Sequence, residues 1–299
     1  MKLKPWSRSL SLRITLGALV IAVFAAGCGS LEVRERELVF RPVKGEAGWY
    51  AGTPAAIQDL YLPVNDSPDA QKIHAWWYPA PDPGAPALLY LHGVRWNLTG
   101  HLRRIEQLHS LGYSVFAIDY RGFGTSDGDL PSEQLVYEDA RAAWAWLVQK
   151  VPDPDRRYIY GHSLGGAVAI DLAASLAGKS AQARGLIVES TFTSLAEIAT
   201  ELVGGWLPTS VLTQKFDSID KIKTVDIPVL IVHGTGDRLV APHFSEALYA
   251  AARDPKKLVM VENASHNNSM WLGITAYQQG MTDLFGFPGA VAGNRTALH

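Results

Sequence analysis

One short motif constrains the fold of this chain more than any other feature: the run Gly161-His162-Ser163-Leu164-Gly165. The residues before it, Tyr158 to Tyr160, favour a strand, and the small residues from Gly165 to Ala177 favour a helix. A strand that turns sharply into a helix strains its central residue and crowds the neighbours, so glycine is expected on both sides. The motif therefore predicts an exposed serine hydroxyl at a helix N-terminus, where backbone N–H groups can stabilise an anion.

The first 27 residues have the composition of an export signal. Ile14 to Ala26 is an apolar run of 13 residues, too short to cross a bilayer comfortably. It follows a positively charged start made of Lys2, Lys4, Arg8 and Arg13. We therefore expect residues 1–27 to be a signal peptide that is removed.

The end of this signal, Phe24-Ala25-Ala26-Gly27-Cys28, resembles a bacterial lipobox, in which the cysteine is lipidated and becomes the new amino terminus. The resemblance implies an acyl anchor on Cys28 and attachment to a membrane of the bacterial cell envelope. Gly29 follows the cysteine, and the absence of Asp there resembles lipoproteins passed on to the outer membrane, facing the periplasm. The alternative is an ordinary signal peptide whose cleavage site abuts a cysteine.

Net charge and cysteine content argue against several kinds of partner and site. Removal of residues 1–27 takes away four positive charges and leaves 23 Lys and Arg against 29 Asp and Glu, a net charge of about −6. Such a charge argues against a nucleic-acid partner. Cys28 is the only cysteine, so no disulfide or thiolate cluster within the chain is possible. No metal-ligand spacing or phosphate-binding loop occurs, and we predict no cofactor and no metal.

Buried strands alternate with helices along the rest of the chain. Two lead strands, Ala56–Tyr61 and Ile73–Tyr78, are expected to pair antiparallel. Later apolar runs predict buried strands at Ala87–Leu91, Ser114–Ile118, Tyr158–Tyr160, Gly185–Val188, Pro228–Val232 and Leu258–Val261. Helices are predicted at Gly100–Leu111, Glu133–Lys150, Gly165–Ala177, Ser194–Val203 and Phe244–Ala252. This alternation predicts an α/β fold, a doubly wound and mostly parallel sheet, in one domain over residues 56–299, with 28–55 as a tether and lead-in.

Three residues at the carboxyl ends of strands suggest a catalytic group. Ser163 follows one strand, Asp237 follows the Pro228 strand by a short loop, and His266 follows the last strand. A serine hydroxyl is a poor nucleophile unless a base takes its proton, and His266 could take it and return it to the leaving group. Asp237 would orient the imidazole and stabilise its charged form. The backbone N–H groups of Val94 and Leu164 would form the oxyanion hole.

The chain order Ser, Asp, His is that of the α/β-hydrolases, and residues 56–280 resemble this superfamily. Within it, four motifs are similar to the branch that contains membrane-associated depalmitoylases and lysophospholipid or monoacylglycerol lipases. They are Leu91-His92-Gly93, residues 118–126, Tyr160 to Gly166, and residues 189–194. The resemblance implies a compact core and action on long-chain acyl esters or thioesters.

Other polar residues at strand ends have simpler interpretations. His92, His162 and His233 stand beside sharp turns, where packing and turn hydrogen bonds are expected rather than proton transfer. Asp119 and Glu189 also end strands, and either is a candidate for a supporting or alternative acid.

The segment of about 195–227 carries many apolar residues: Leu195, Ile198, Leu202, Val203, Trp206, Leu207 and Leu212. It is predicted to form a short helical lid over the site, which would suit acyl chains. Ordinary packing of a helix against the sheet is the alternative.

These features predict a lipid-anchored serine hydrolase that cleaves a small-molecule or lipid acyl ester or thioester through an acyl-enzyme. A serine peptidase and a perhydrolase use the same three residues and stay open as alternatives. A non-catalytic envelope lipoprotein is the alternative from a different class, although a binding module has no reason to keep Ser163, Asp237 and His266 together. The acyl length, the leaving group and the oligomeric state stay open.

Overall fold

Eight strands form one mixed sheet in the computed structural model, which describes residues 31–203 and 209–286. In chain order they are β1 (Gln58–Pro63), β2 (Lys72–Tyr78), β3 (Ala87–Leu91), β4 (Ser114–Ile118), β5 (Arg157–His162), β6 (Gly185–Glu189), β7 (Val229–Gly234) and β8 (Lys256–Val261). Their order across the sheet is β1-β2-β4-β3-β5-β6-β7-β8. β2 pairs antiparallel with both β1 and β4, and all the other pairs are parallel.

The central strands are buried along their whole length because helices cover both faces of the sheet. Every residue of β3, β4, β5, β6 and β7 is buried, as the continuous apolar runs of the sequence predict. Alternate side chains of these strands feed two apolar cores, one on each face. The predicted α/β fold and the antiparallel lead pair are confirmed, and each predicted strand end lies within two residues of the observed one.

The described residues include nine α-helices. They are α1 (residues 31–40), α2 (Leu98–Ser110), α3 (Glu133–Lys150), α4 (Leu164–Leu176), α5 (Leu195–Val203), α6 (Ser218–Lys221), α7 (His243–Ala251), α8 (Ser269–Leu272) and α9 (Ile274–Phe285). Side chains cap two of the longer helices: Asn97 accepts from the Thr99 amide before α2, and Ser132 accepts from the Leu135 amide before α3. The five predicted helices are observed, whereas α1, α6, α8 and α9 were not predicted. None of the described helices is long and apolar enough to cross a membrane.

Residues 31–50, assigned by the sequence analysis to a tether, pack on the domain. Phe40 is fully buried against Phe216, with ring centroids 6.0 Å apart. The Phe40 carbonyl accepts a hydrogen bond from the Arg95 amide at 3.1 Å, and the Val43 carbonyl accepts one from the Gly124 amide at 2.9 Å. The charged run from Glu32 to Glu37 therefore forms a helix that leads directly into the core. The predicted signal, residues 1–27, and Cys28 lie outside the described residues.

The predicted lid segment is tied to the domain at both ends. Ile198 of α5 and Phe216 are buried in the core. The Glu35 carboxylate accepts from the backbone amides of Thr213 and Gln214 at 2.9 to 3.0 Å. Glu133 accepts from the next two amides, those of residues 215 and 216.

The described parts of this segment that are named above therefore contact the rest of the domain, as in the alternative of ordinary packing. Trp206 and Leu207 lie outside the described residues, as do residues 287–299 at the end of the predicted domain. The lid role stays a prediction.

Candidate active site

Ser163 occupies a strained turn between β5 and α4. Its φ of 56° and ψ of −125° lie in a region that residues other than glycine rarely adopt. Its amide donates to the Glu189 carbonyl at 2.9 Å, and its carbonyl accepts from the Gly166 amide at 2.8 Å. A side chain at Gly161 or at Gly165 would place Cβ 2.1 Å from a backbone oxygen. The glycines are thus required by contact, as the motif predicts.

The two predicted oxyanion donors, Leu164 and Val94, belong to segments that adjoin this serine. Leu164 is the first residue of α4, where amides have no acceptor within the helix. Val94 follows Gly93, and a Cβ on Gly93 would lie 3.1 Å from the Ser163 Cβ. The loop after β3 therefore lies directly against the serine, although the oxyanion hole itself stays a prediction.

Asp237 and His266 form a hydrogen-bonded pair at the carboxyl ends of β7 and β8. His266 Nδ1 lies 2.7 Å from Asp237 Oδ2, and both residues are buried. The other oxygen of Asp237 accepts from the amides of Leu239 and Val240 at 2.9 and 3.0 Å. This arrangement leaves Nε2 of His266 as the ring nitrogen that can act on a substrate or a nucleophile.

His233 also contacts this carboxylate, which the sequence analysis missed. Its Nε2 lies 3.2 Å from Asp237 Oδ2. Burial by itself would raise the pKa of Asp237, but hydrogen bonds from His233 and His266 outweigh it and hold the pKa below its usual value. Asp237 is therefore ionised at neutral pH, which is the state that can stabilise an imidazolium.

His162 connects the serine turn to the His266 loop. Its Nε2 lies 2.8 Å from the His266 carbonyl oxygen, and the two rings are 4.9 Å apart. Burial, with the nearby charge of Arg104, holds the pKa of His162 well below its ordinary value, so the ring is neutral and its Nε2 carries the donated proton. The loop that carries His266 is therefore hydrogen-bonded to the residue that precedes Ser163. A bond between the Ser163 hydroxyl and the His266 ring stays a prediction.

The alternative acids contact other groups. Asp119 accepts from the Leu98 amide at 2.8 Å, at the start of α2, and lies 3.3 Å from both His74 and His92. Glu189 pairs with the Arg104 guanidinium at 2.7 Å. Of the three candidate carboxylates, Asp237 is the one that bonds His266.

The sequence analysis did not identify Arg104 as a residue near the site, because a charged side chain is normally expected on the surface. It is buried, with 8% exposure, although arginine normally lies on the surface. It stands four residues before Leu108, which is also buried on α2, so helical spacing alone places it on the inner face. This spacing from Leu108 was the one feature of the sequence that could have indicated a buried Arg104.

An open cavity of about 630 Å³ lies beside His266. Of the described residues, it is lined by Gly236, Arg238, Leu239, Asn263, Ser265, His266 and Asn267. Arg238 is the one charged side chain among them, apart from His266 if protonated, and none is a carboxylate. Among the described residues, no group of three or more His, Cys, Asp or Glu side chains could hold a metal ion.

Comparison with known proteins gives consistent matches. The family model described as Hydrolase_4, serine aminopeptidase S33, matches residues 83–217. The alpha/beta hydrolase domain-containing protein WAV2 of Arabidopsis thaliana is 31% identical over 270 residues, which cover 84% of this chain and 86% of that protein. The lysophosphatidylserine lipase ABHD12 of Danio rerio is 34% identical over 206 residues, which cover 64% of this chain and 53% of that protein.

A solved structure supports the fold alone. The esterase Pf2001 of Pyrococcus furiosus superposes with a TM-score of 0.63 over 82% of this chain and 99% of the esterase, at 19% identity.

Proposed function

This chain belongs to the α/β-hydrolase family, and from that premise we propose that it is a serine hydrolase that cleaves carboxylic esters or thioesters. The observation that carries the proposal is the 2.7 Å bond between Asp237 and His266, on the loop that His162 ties to the Ser163 turn. A buried carboxylate that orients an imidazole beside a strained serine is the arrangement required for nucleophilic catalysis.

The proposed reaction has two steps. The Ser163 oxygen attacks the carbonyl carbon while His266 takes the hydroxyl proton, and the oxyanion is stabilised by the amides of Val94 and Leu164. His266 then gives its proton to the leaving group as the carbon–oxygen or carbon–sulfur bond breaks. Water, deprotonated by His266, attacks the acyl-enzyme, and release of the acid returns the proton to Ser163.

The cavity beside His266 is proposed to receive the leaving group. His266 protonates that group, so the leaving group must depart on the side that His266 lines. Five of the seven described residues that line the cavity have polar side chains, and Arg238 is exposed with no carboxylate beside it in the lining. We therefore propose an acyl lipid whose leaving group is polar and carries an anionic substituent such as a phosphate.

A peptidase is the second candidate because the matching family model is described as a serine aminopeptidase. An aminopeptidase must bind a cationic amino terminus, for which a carboxylate is the usual partner. The described residues of the cavity lining include none. This composition favours the ester hydrolase.

A fluorophosphonate probe tests the chemistry. We expect the wild type to be labelled and Ser163→Ala to be unlabelled, while Ser175→Ala, a matched change at the far end of α4, is labelled like the wild type. Equal labelling of Ser163→Ala would refute the proposal. A rate profile over esters of increasing acyl length, with thioester analogues, then defines the acyl group.

The leaving-group proposal has its own test. Arg238→Ala should raise KM about tenfold for an acylglycerol that carries a phosphate and leave KM for the neutral acylglycerol unchanged. Arg253→Ala removes an exposed arginine before β8, at the opposite end of that strand from Asn263, and should change neither. Equal effects of Arg238→Ala on both substrates would contradict the proposal.

We also propose that the enzyme is attached to the cell envelope through an acyl group on Cys28, in the outer membrane and facing the periplasm. The lipobox-like sequence supports this proposal. Cys28→Ser should release an active protein from the membrane fraction, because it removes the sulfur that would be lipidated and changes none of the residues that contact Ser163, Asp237 or His266. Retention of the variant in membranes at the wild-type level would refute the anchor.

A further inference from the structure

A buried ion pair lies beneath the proposed active site. The Arg104 guanidinium, on α2, contacts Glu189 Oε1 at 2.7 Å, the Tyr160 hydroxyl at 3.1 Å and the Asn267 carbonyl at 3.0 Å. These three partners belong to β6, β5 and the loop after β8. One side chain therefore joins three elements of the fold to α2.

Glu189 completes the cluster. It is fully buried and accepts hydrogen bonds from the hydroxyls of Tyr160, at 2.5 Å, and Tyr277. Burial raises the pKa of both tyrosines, so their hydroxyls keep the protons that they donate. Burial alone would lower the pKa of Arg104, but Glu189 outweighs it, so the guanidinium keeps its charge. One positive and one negative charge are thus neutralised in the protein interior.

The members of this cluster are attached to the proposed catalytic residues through the backbone. The Glu189 carbonyl accepts from the Ser163 amide at 2.9 Å. Asn267, whose carbonyl Arg104 holds, directly follows His266. The ion pair between Arg104 and Glu189 therefore spans the distance between the nucleophile turn and the His266 loop.

We infer that Arg104 is a positioning residue, which fixes the His266 loop relative to Ser163 through Glu189 and the Asn267 carbonyl. This inference rests on the proposed function, because it concerns the geometry of that reaction. Two reacting groups that are misplaced by about 1 Å can lose about a hundredfold in rate. The planar fork of arginine can bind a carboxylate and a carbonyl at once, whereas the single ammonium of lysine cannot hold the same fork geometry.

Arg104→Lys is the main test because it keeps the charge that Glu189 needs. We expect kcat to fall about 10- to 100-fold with KM changed less than twofold, and fluorophosphonate labelling of Ser163 to slow by a similar factor. The melting temperature should stay within a few degrees of the wild type. Arg103→Lys is the matched control, since Arg103 is the exposed neighbour that stacks on Trp271; it should change none of these quantities.

Arg104→Met separates a structural role from a positioning role. It leaves Glu189 without its charge partner and should lower the melting temperature strongly. If lysine restores the melting temperature but not kcat, positioning is supported. If lysine restores both in proportion, Arg104 is only structural and the inference is overturned.

Amide hydrogen exchange gives a measurement that needs no activity. We expect residues 263–268 to exchange at least about tenfold faster in Arg104→Lys than in the wild type or in Arg103→Lys. Unchanged exchange there would overturn the inference. Absence of labelling in the wild type would instead refute the proposed function, so the two failures are distinguishable.

Discussion

The Ser163 turn and the His266 loop meet at one edge of the sheet, but they are held by different forces. The turn is fixed by close contact of backbone atoms, because any side chain at Gly161 or Gly165 would collide with a carbonyl oxygen. The loop is held by side chains that arrive from other elements: Asp237, His162 and Arg104.

The two regions should therefore respond differently to pH and to substitution. Backbone contact does not depend on pH and tolerates no added atom. A loop held by charged and hydrogen-bonded side chains depends on their ionisation and can be displaced by a single substitution. We therefore expect substitutions in the Ser163 turn to lower mainly the stability of the fold, and substitutions around the His266 loop to lower mainly the activity.

The largest expected effect is on activity. Asp237→Asn keeps the size of the side chain but favours the wrong tautomer of His266, and kcat should fall by up to about ten-thousandfold. Steady-state kinetics measure this loss, and circular dichroism should show an unchanged fold. His266→Ala combined with Asp237→Asn should cost little more than His266→Ala alone, because the carboxylate acts through the imidazole. Multiplicative losses would show that Asp237 serves another group.

Gly165→Ala tests the steric half of the comparison. Its Cβ would lie 2.1 Å from the Leu91 carbonyl oxygen, so the backbone must move and the free energy of unfolding should fall by about 4 kcal/mol. Urea denaturation measures the change. Gly48→Ala is the control, since no atom lies within 4 Å of its added Cβ, and it should be nearly neutral. A stable Gly165→Ala protein would show that the turn is not sterically fixed.

Phe40→Ala asks whether the amino-terminal segment belongs to the same rigid unit. Phe40 is fully buried, so the free energy of unfolding should fall by about 3 kcal/mol. Leu38, two residues earlier and 77% exposed, gives the control: Leu38→Ala should change it by less than about 0.5 kcal/mol. If urea denaturation showed that Phe40→Ala destabilises the protein as little as Leu38→Ala does, the segment would contribute nothing to the core.

The smallest effect concerns acid stability of the His266 loop. The pKa of Asp237 is lower in the folded protein than in the unfolded chain, where it is about 4. Its contribution is therefore fully present above pH 4 and is lost as pH falls towards the folded value. Between pH 6 and pH 3 the wild type should lose about 1 kcal/mol more stability than Asp237→Asn. Parallel acid dependence of the two proteins in urea titrations would contradict this account.

Much of the fold was predictable because the positions of its strands and helices follow from patterns of residues that are close in sequence. Continuous apolar runs marked the strands, and Glu133–Lys150 was predicted to the residue. Helix α9 was missed although Tyr277, Met281 and Phe285 recur every four residues. Helix α1 was missed because its charged run resembles a solvated tether. Its contacts in the folded protein, among them those of Glu35 and Phe40, show that it packs on the domain.

The sequence by itself determined the Gly-x-Ser-x-Gly turn, the alternation of strands and helices, and the order of Ser163, Asp237 and His266 along the chain. These features depend on residues that are close in sequence or on spacing within one element. Only the tertiary structure decided that Asp237 bonds His266 and that Arg104 joins Glu189 to the loop. The pairs are 29 and 85 residues apart, and contacts over such separations form only when the sheet has brought the strand ends together.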